Sequence, residues 1–184
     1  AVLEFLETND YTRVDRIKRD ILGLYRNDIA KYAKGYESKV LRIYDDIPSQ
    51  LSKHEKKFRL SAISKHARLR EYEDAFMWLK EAMIVNICFN ADDPQIGLTL
   101  YKDRLTLKLY MADTGLLISH AYDLIGQMHQ EIAEKIVADR LEANHGMIFE
   151  NIVAQMLQVK NRKLYFYSRK DNVDSQNTME IDFL

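Results

Sequence analysis

Helix breakers are scarce, with two prolines and six glycines among 184 residues, so long helices are expected to dominate. A single cysteine, Cys88, excludes an internal disulfide and is ordinary in a reducing cytosol. It lies in the apolar run MIVNICF, which predicts a small buried hydrophobe rather than a nucleophile. No apolar stretch approaches the roughly 18 residues needed to span a bilayer. The start, AVLEFLETNDYTRVD, has neither a cationic nor an apolar signal-peptide region. These absences predict a cytoplasmic protein with no membrane contact. Both ends fall inside a pattern, without an initial Met and within MEIDFL, which predicts a fragment of a longer chain. There is no GxxxxGK[ST] loop to cradle nucleotide phosphates. The histidines, His54, His66, His120, His129 and His145, show no HExxH or paired-ligand spacing and read as surface residues.

What is present argues for a packed core. Hydrophobic residues make up 47% and charged residues 30%, enough for one domain or two small ones and too apolar for disorder. The net charge of -1 names no partner, so local charge matters more. Trp78 and the eleven tyrosines fall largely at core positions and read as packing groups.

Apolar positions at Val14, Ile17, Ile21, Leu24, Tyr25, Ile29 and Tyr32 define one face of a helix over 13–33, with Asp10 or Thr12 as its cap and Gly35 as its stop. A second helix is expected over 37–51, interrupted or ended by Pro48. A short one follows over 58–66, then a longer one over 69–85 with Tyr72, Phe76, Leu79 and Met83 on one stripe. MIVNICF, GLTLY and LTLKLYM are β-prone, with turn residues in NADDPQIG and KDR between them. This predicts a three-helix unit followed by a β-wing. ADTGLL reopens helix with Asp113 or Thr114 as cap, and further helices are expected over 129–143 and 147–159. KLYFYS and MEIDFL read as a strand hairpin.

Two constellations carry chemistry. Lys53, Lys56, Lys57, Arg59, Lys65, Arg68 and Arg70 lie in one segment against the single acid Glu55. In a winged helix the N-terminal end of the third helix meets the major groove, where cations and helix dipole both favour phosphate. The same pattern also solvates a helical face or docks an acidic neighbour. The second constellation is acidic. Glu150 lies in the apolar helix GMIFEN, and Asp182 lies between Ile181 and Phe183 in a strand, facing the same way as Glu180. An acid in so apolar a setting requires a metal, a cation or backbone donors. Converging carboxylates can hold Mg²⁺ for phosphodiester chemistry. Equally, Glu150 can cap or pair near a helix start and Asp182 can end a buried pairing.

The strings LKLYMADTGLL, NHGMIFENIVAQML, LYFYS and MEIDFL resemble a C-terminal domain of unknown function in prokaryotic AAA+ P-loop ATPases. The segment TNDYTRVDRIKRDILGLYRNDIAKYA resembles their linker and lid helices, and IPSQLS through REYEDAFMWLKEAMIVN their winged helix. The last third of that family is similar to the PD-(D/E)xK nuclease fold. The resemblance makes Glu150 the helix acid and Asp182 the strand acid of a metal and catalytic site, with its ExK strand beyond Leu184. It implies a mainly α architecture with small β elements. Residues 1–36 are expected as a helical linker, 37–113 as a winged-helix domain and 114–184 as an incomplete nuclease-like α/β unit. The implied function is a non-catalytic accessory region, its winged helix serving nucleic acid or protein. The alternatives are a nuclease truncated before its ExK strand and an inter-subunit structural module. No cofactor is expected in this stretch. Mg²⁺ is implied for an intact nuclease-like site, and ATP with Mg²⁺ for an ATPase domain, which is itself the expected partner beside nucleic acid and self-association. Without a phosphate loop, calorimetry with Mg-ATP should give no saturable heat, and micromolar binding would contradict this reading.

Overall fold

The computed structural model describes residues 1–62, 68–95, 97–122, 145–170 and 178–184. Within them the chain forms α1 (Val2–Thr8), α2 (Tyr11–Tyr32), α3 (Glu37–Leu51), α4 (Glu73–Glu81), β1 (Val85–Ala91), β2 (Lys102–Met111), α5 (Thr114–Ala121), α6 (His145–Val159), β3 (Leu164–Lys170) and β4 (Thr178–Ile181). The mainly α architecture with a small sheet is as expected. The helix expected over 129–143 lies outside the described residues, as do Lys65, His66 and His129. Among the described residues no helix is long and apolar enough to cross a membrane.

Of the two cap candidates for α2, Asp10 takes the role, its carboxylate accepting from the backbone N–H of Thr12 at 2.9 Å and Arg13 at 3.2 Å. The helix buries Leu22 and Ile29, whereas Leu24, expected on the same face, is exposed. Leu24 lies roughly 200° around the helix from Leu22, which puts it on the solvent side. Asp15 is buried on the inner face, paired with Arg19 at 2.7 Å and accepting from the Ser119 hydroxyl of α5 at 2.7 Å. That polar contact ties α2 to α5 and has no counterpart in the apolar pattern.

α3 spans the expected residues, but Pro48 lies inside it rather than ending it. Proline has no N–H, so the Tyr44 carbonyl loses its usual helical donor. The His120 ring nitrogen Nε2 sits 3.0 Å from that carbonyl, and the His120 ring stacks on Tyr44 at 4.6 Å. His120, read from sequence as a surface residue, is therefore a half-buried partner of α3.

The middle of the chain departs further from expectation. The helix expected over 58–66 is, where described, an irregular stretch leading into the 3-10 turn Leu60–Ala62. The helix expected over 69–85 divides into a 3-10 turn, Leu69–Glu71, and α4, which stops at Glu81. Met83 adopts a left-handed φ of 57° and is exposed, so it is not on the core stripe. The reversal there hands the chain through Ile84 to β-branched Val85, which starts β1. GLTLY forms a turn rather than a strand. Gly97 has φ 95°, and the Leu100 N–H donates to its carbonyl at 2.8 Å. KDR, expected as a turn, opens β2. The expected β-wing is thus one long hairpin, not three short strands.

The sheet order is β2-β1-β3-β4. β1 and β2 are antiparallel with Cys88 opposite Lys108, β1 and β3 are parallel, and β3 and β4 are antiparallel with Ser168 opposite Glu180. The strands expected in a wing and those expected in a terminal hairpin therefore share one sheet, joined through β1 and β3. Alternation gives this sheet two faces. Ile87, Phe89 and Leu107 point one way, toward α4. Cys88, Lys108 and Tyr110 point the other way, toward α6.

α6 is fixed by its polar side chains. Asn151 is fully buried; its Oδ1 accepts from Met111 N at 2.8 Å and its Nδ2 donates to Met111 O at 3.0 Å and Thr114 Oγ1 at 2.9 Å. Gln155 Oε1 accepts from Thr114 N at 3.0 Å. Asp113 caps α5 by accepting from Leu116 N at 2.8 Å. Asn151 thereby satisfies the backbone where β2 ends and α5 begins. Asn151→Ala would strand the buried Met111 groups at a cost of about 3 kcal/mol. Urea unfolding should show that loss, and a change under about 0.5 kcal/mol would contradict the role assigned to Asn151.

Candidate functional site: a buried lysine among three carboxylates

Lys108 lies in the alternating string LTLKLYM, in the interior of β2, and its side chain is only 1% exposed. An ammonium so buried requires anionic partners. It has them on two elements. Its Nζ is 2.8 Å from Asp182 Oδ1 and 2.7 Å from Glu180, both in the MEIDFL segment. On α6, Glu150 lies 3.9 Å away. Glu150 also accepts from the Tyr110 hydroxyl at 3.0 Å and from Lys56 Nζ at 2.5 Å. The Phe166 ring sits under the Lys108 ammonium at 4.9 Å and completes the enclosure.

The two acids singled out in the sequence, Glu150 and Asp182, thus converge on one point, and Glu180 joins them from the same side of its strand. They form one side of a cleft of about 520 Å³, with Ser52, Lys53, His54 and Lys56 on the other. Sequence reading missed Lys108 and Tyr110. The signal was available, because a lysine between two leucines in a strand is as conspicuous as an aspartate between Ile181 and Phe183. Each is the answer to the other.

The electrostatics follow from this arrangement. Burial works against the Lys108 charge, but hydrogen bonds to Asp182 and Glu180 outweigh it and hold the pKa above the ordinary lysine value. A raised lysine pKa means that the stabilisation is fully present below the ordinary value and disappears only as pH climbs through the higher folded-state value. Burial also pushes the Tyr110 hydroxyl upward, helped by the Glu150 charge, so it stays a donor. The Cys88 thiol, on the same face, is pushed up to about 12 mainly by burial. This matches the expectation of a small buried hydrophobe and excludes a thiolate at neutral pH.

The donor set fits an ammonium better than a divalent cation. Glu150, Glu180 and Asp182 each lie within ion-pair distance of Lys108, Glu150 also of Lys56, and among the described residues no group of three His, Cys, Asp or Glu is placed to hold a metal. No hydrolytic step through a metal can be derived from this geometry.

The basic segment is dispersed. Lys56 is committed to Glu150, Lys57 lies 3.2 Å from Glu55, and Arg59 bonds the same Glu55. Partial burial opposes the Glu55 charge, but Lys57 and Arg59 hold its carboxyl below the usual range. Lys53, Arg68 and Arg70 are exposed, with Lys53 at the cleft. The first turn of α4, expected to present cations to phosphate, instead carries Glu73 and Asp74, and Arg68 and Arg70 precede it. Its dipole is answered internally.

Fold and site together define an α-rich domain with a four-stranded mixed sheet and an internally paired charge cluster. The chain belongs to the family described as a domain of unknown function (DUF8612), whose model matches residues 1–126. Lys56, Lys108 and Tyr110 fall within that match, while Glu150, Glu180 and Asp182 lie after it. No curated protein and no solved structure matches the chain.

Lys108→Met would leave three carboxylates facing one another. Breaking a buried pair costs about 3–5 kcal/mol. Because the Asp182 side chain is half exposed, a smaller loss of about 2 kcal/mol is expected at neutral pH. The deficit should narrow toward about pH 4, as protonation relieves the repulsion. Equal stability of variant and parent at pH 7 would contradict this reading.

Proposed function

We propose that the chain is a non-catalytic accessory module of a prokaryotic AAA+ ATPase, acting through protein contacts rather than through phosphodiester chemistry. The ATPase context rests on the resemblance of DTGLL, FEN and EIDF in combination. The non-catalytic reading rests on one observation, the Lys108 ammonium at the focus of Glu150, Glu180 and Asp182. A cation that belongs to the chain already pairs with the carboxylates that a metal would need as ligands. The preference for protein over nucleic acid follows from the pairing of Lys56, Lys57 and Arg59 with acids, and from the acidic first turn of α4.

The test is a gel with supercoiled plasmid at low salt, in Mg²⁺ and in Mn²⁺. Neither nicking nor a mobility shift is expected. Nicking that disappears in Asp182→Asn would establish the nuclease reading instead. A shift that disappears in Arg68→Glu would establish nucleic-acid binding.

A further inference from the structure

Opposite the charge cluster, on the sheet face that meets α4, lies a groove of about 480 Å³. That is within the roughly 300–1,000 Å³ range of small binding pockets. Its floor is apolar, built from Phe76 and Met77 of α4 and from Ile87, Phe89 and Leu107 of the sheet. Leu105 stands at its mouth, 71% exposed despite its size. The rim is cationic. Arg70, Lys80, Lys102 and Arg104 surround the floor, with Glu73 as the single acid in the lining, 3.9 Å from Arg104.

Among the described residues, Arg70, Lys80 and Lys102 have no carboxylate within ion-pair distance, in contrast to Lys56, Lys57, Arg59 and Lys108. Lys102 instead lies over the Phe89 ring at 3.5 Å. Partial burial, then repulsion from Arg104, Lys80 and Lys163, pushes its pKa below the ordinary lysine value, with Glu73 working the other way. Gathering like charges around an apolar floor is unfavourable unless an anion answers them.

The geometry points to this groove as the docking site for a short acidic protein segment that inserts two or three apolar side chains between its carboxylates. This rests on the reading of the chain as a protein-binding module and names the partner chemistry. Charge complementarity requires an anion, and the floor requires apolar groups. A nucleic acid supplies the first but not the second, because Phe76 is buried against Phe58 and the Phe89 face is covered by Lys102, which leaves bases no open ring to stack on.

The test uses the full chain and a short fluorescein-labelled peptide with leucines every three or four positions between glutamates, read by anisotropy. Micromolar binding is expected. It should weaken about tenfold in Lys80→Glu/Lys102→Glu and in Leu105→Asp, and remain unchanged in Lys53→Glu, which lies at the other cleft. Circular dichroism should show all variants folded, since Lys80, Leu105 and Lys53 are exposed and Lys102 is half-buried. A peptide with serine in place of leucine should bind at least tenfold more weakly. Equal binding by the serine peptide, no binding by the leucine peptide, or tighter binding of a single-stranded oligonucleotide at the same residues would each overturn the inference. Failure here with an inactive plasmid assay removes the groove alone. Plasmid nicking removes the non-catalytic reading whatever the peptide does.

Discussion

The structure depends on placing one ammonium inside a sheet. Lys108 is inside because β2 alternates, and the leucines on either side of it must face α4. Once inside, it dictates what may surround it. The end of β4 and the residue after it must bring Glu180 and Asp182 to the same face, α6 must offer Glu150, and the 52–58 segment must bring Lys56 to Glu150. That segment is held in place by the Phe58 N–H, which donates to the Leu107 carbonyl at 2.8 Å. Residues far apart in the chain are thereby locked by charge rather than by apolar packing alone. Such networks are costly to desolvate and are worth more as specifiers of geometry than as sources of stability.

Three short strings, DTGLL, FEN and EIDF, meet in space. DTGLL supplies the Asp113 cap and the Thr114 contact to Asn151. FEN supplies Glu150 to the cluster and Asn151 to the end of β2. EIDF supplies Glu180 from the end of β4 and Asp182 just after it. Glu150 and Asn151 are neighbours on α6 and serve different tasks, one electrostatic and one a backbone clamp. Their joint placement explains why a helix of modest amphipathicity is held firmly against the sheet.

Much of this was legible in the sequence, and the failures have physical causes. Helical spacing located α2 and α3, because long one-sided apolar patterns are a strong signal, and Asn144 and Gly146 mark the start of α6. It failed at 69–85, where the apolar run from Ala82 to Val85 follows directly on the helical pattern and periodicity cannot show where helix yields to strand. It failed at GLTLY, whose β-prone residues are overridden by the turn that Gly97 permits. The convergence of Glu150 and Asp182 is suggested by their apolar settings, whereas the cation between them lies in a leucine-rich strand whose pattern reads as core. The pairing of the basic segment is not visible in the local sequence, because Glu150 lies 94 positions from Lys56.

The charge state of Lys108 bears most directly on the claim that the cluster is a structural ion network. The ¹³Cε resonance of Lys108 can be followed through alkaline pH in the intact chain, with and without millimolar Mg²⁺. An ammonium held by Asp182 and Glu180 should titrate above the ordinary lysine value of 10.5 and be indifferent to Mg²⁺. Titration at or below that value, or a resonance that moves when Mg²⁺ displaces the ammonium from the carboxylates, would contradict the account.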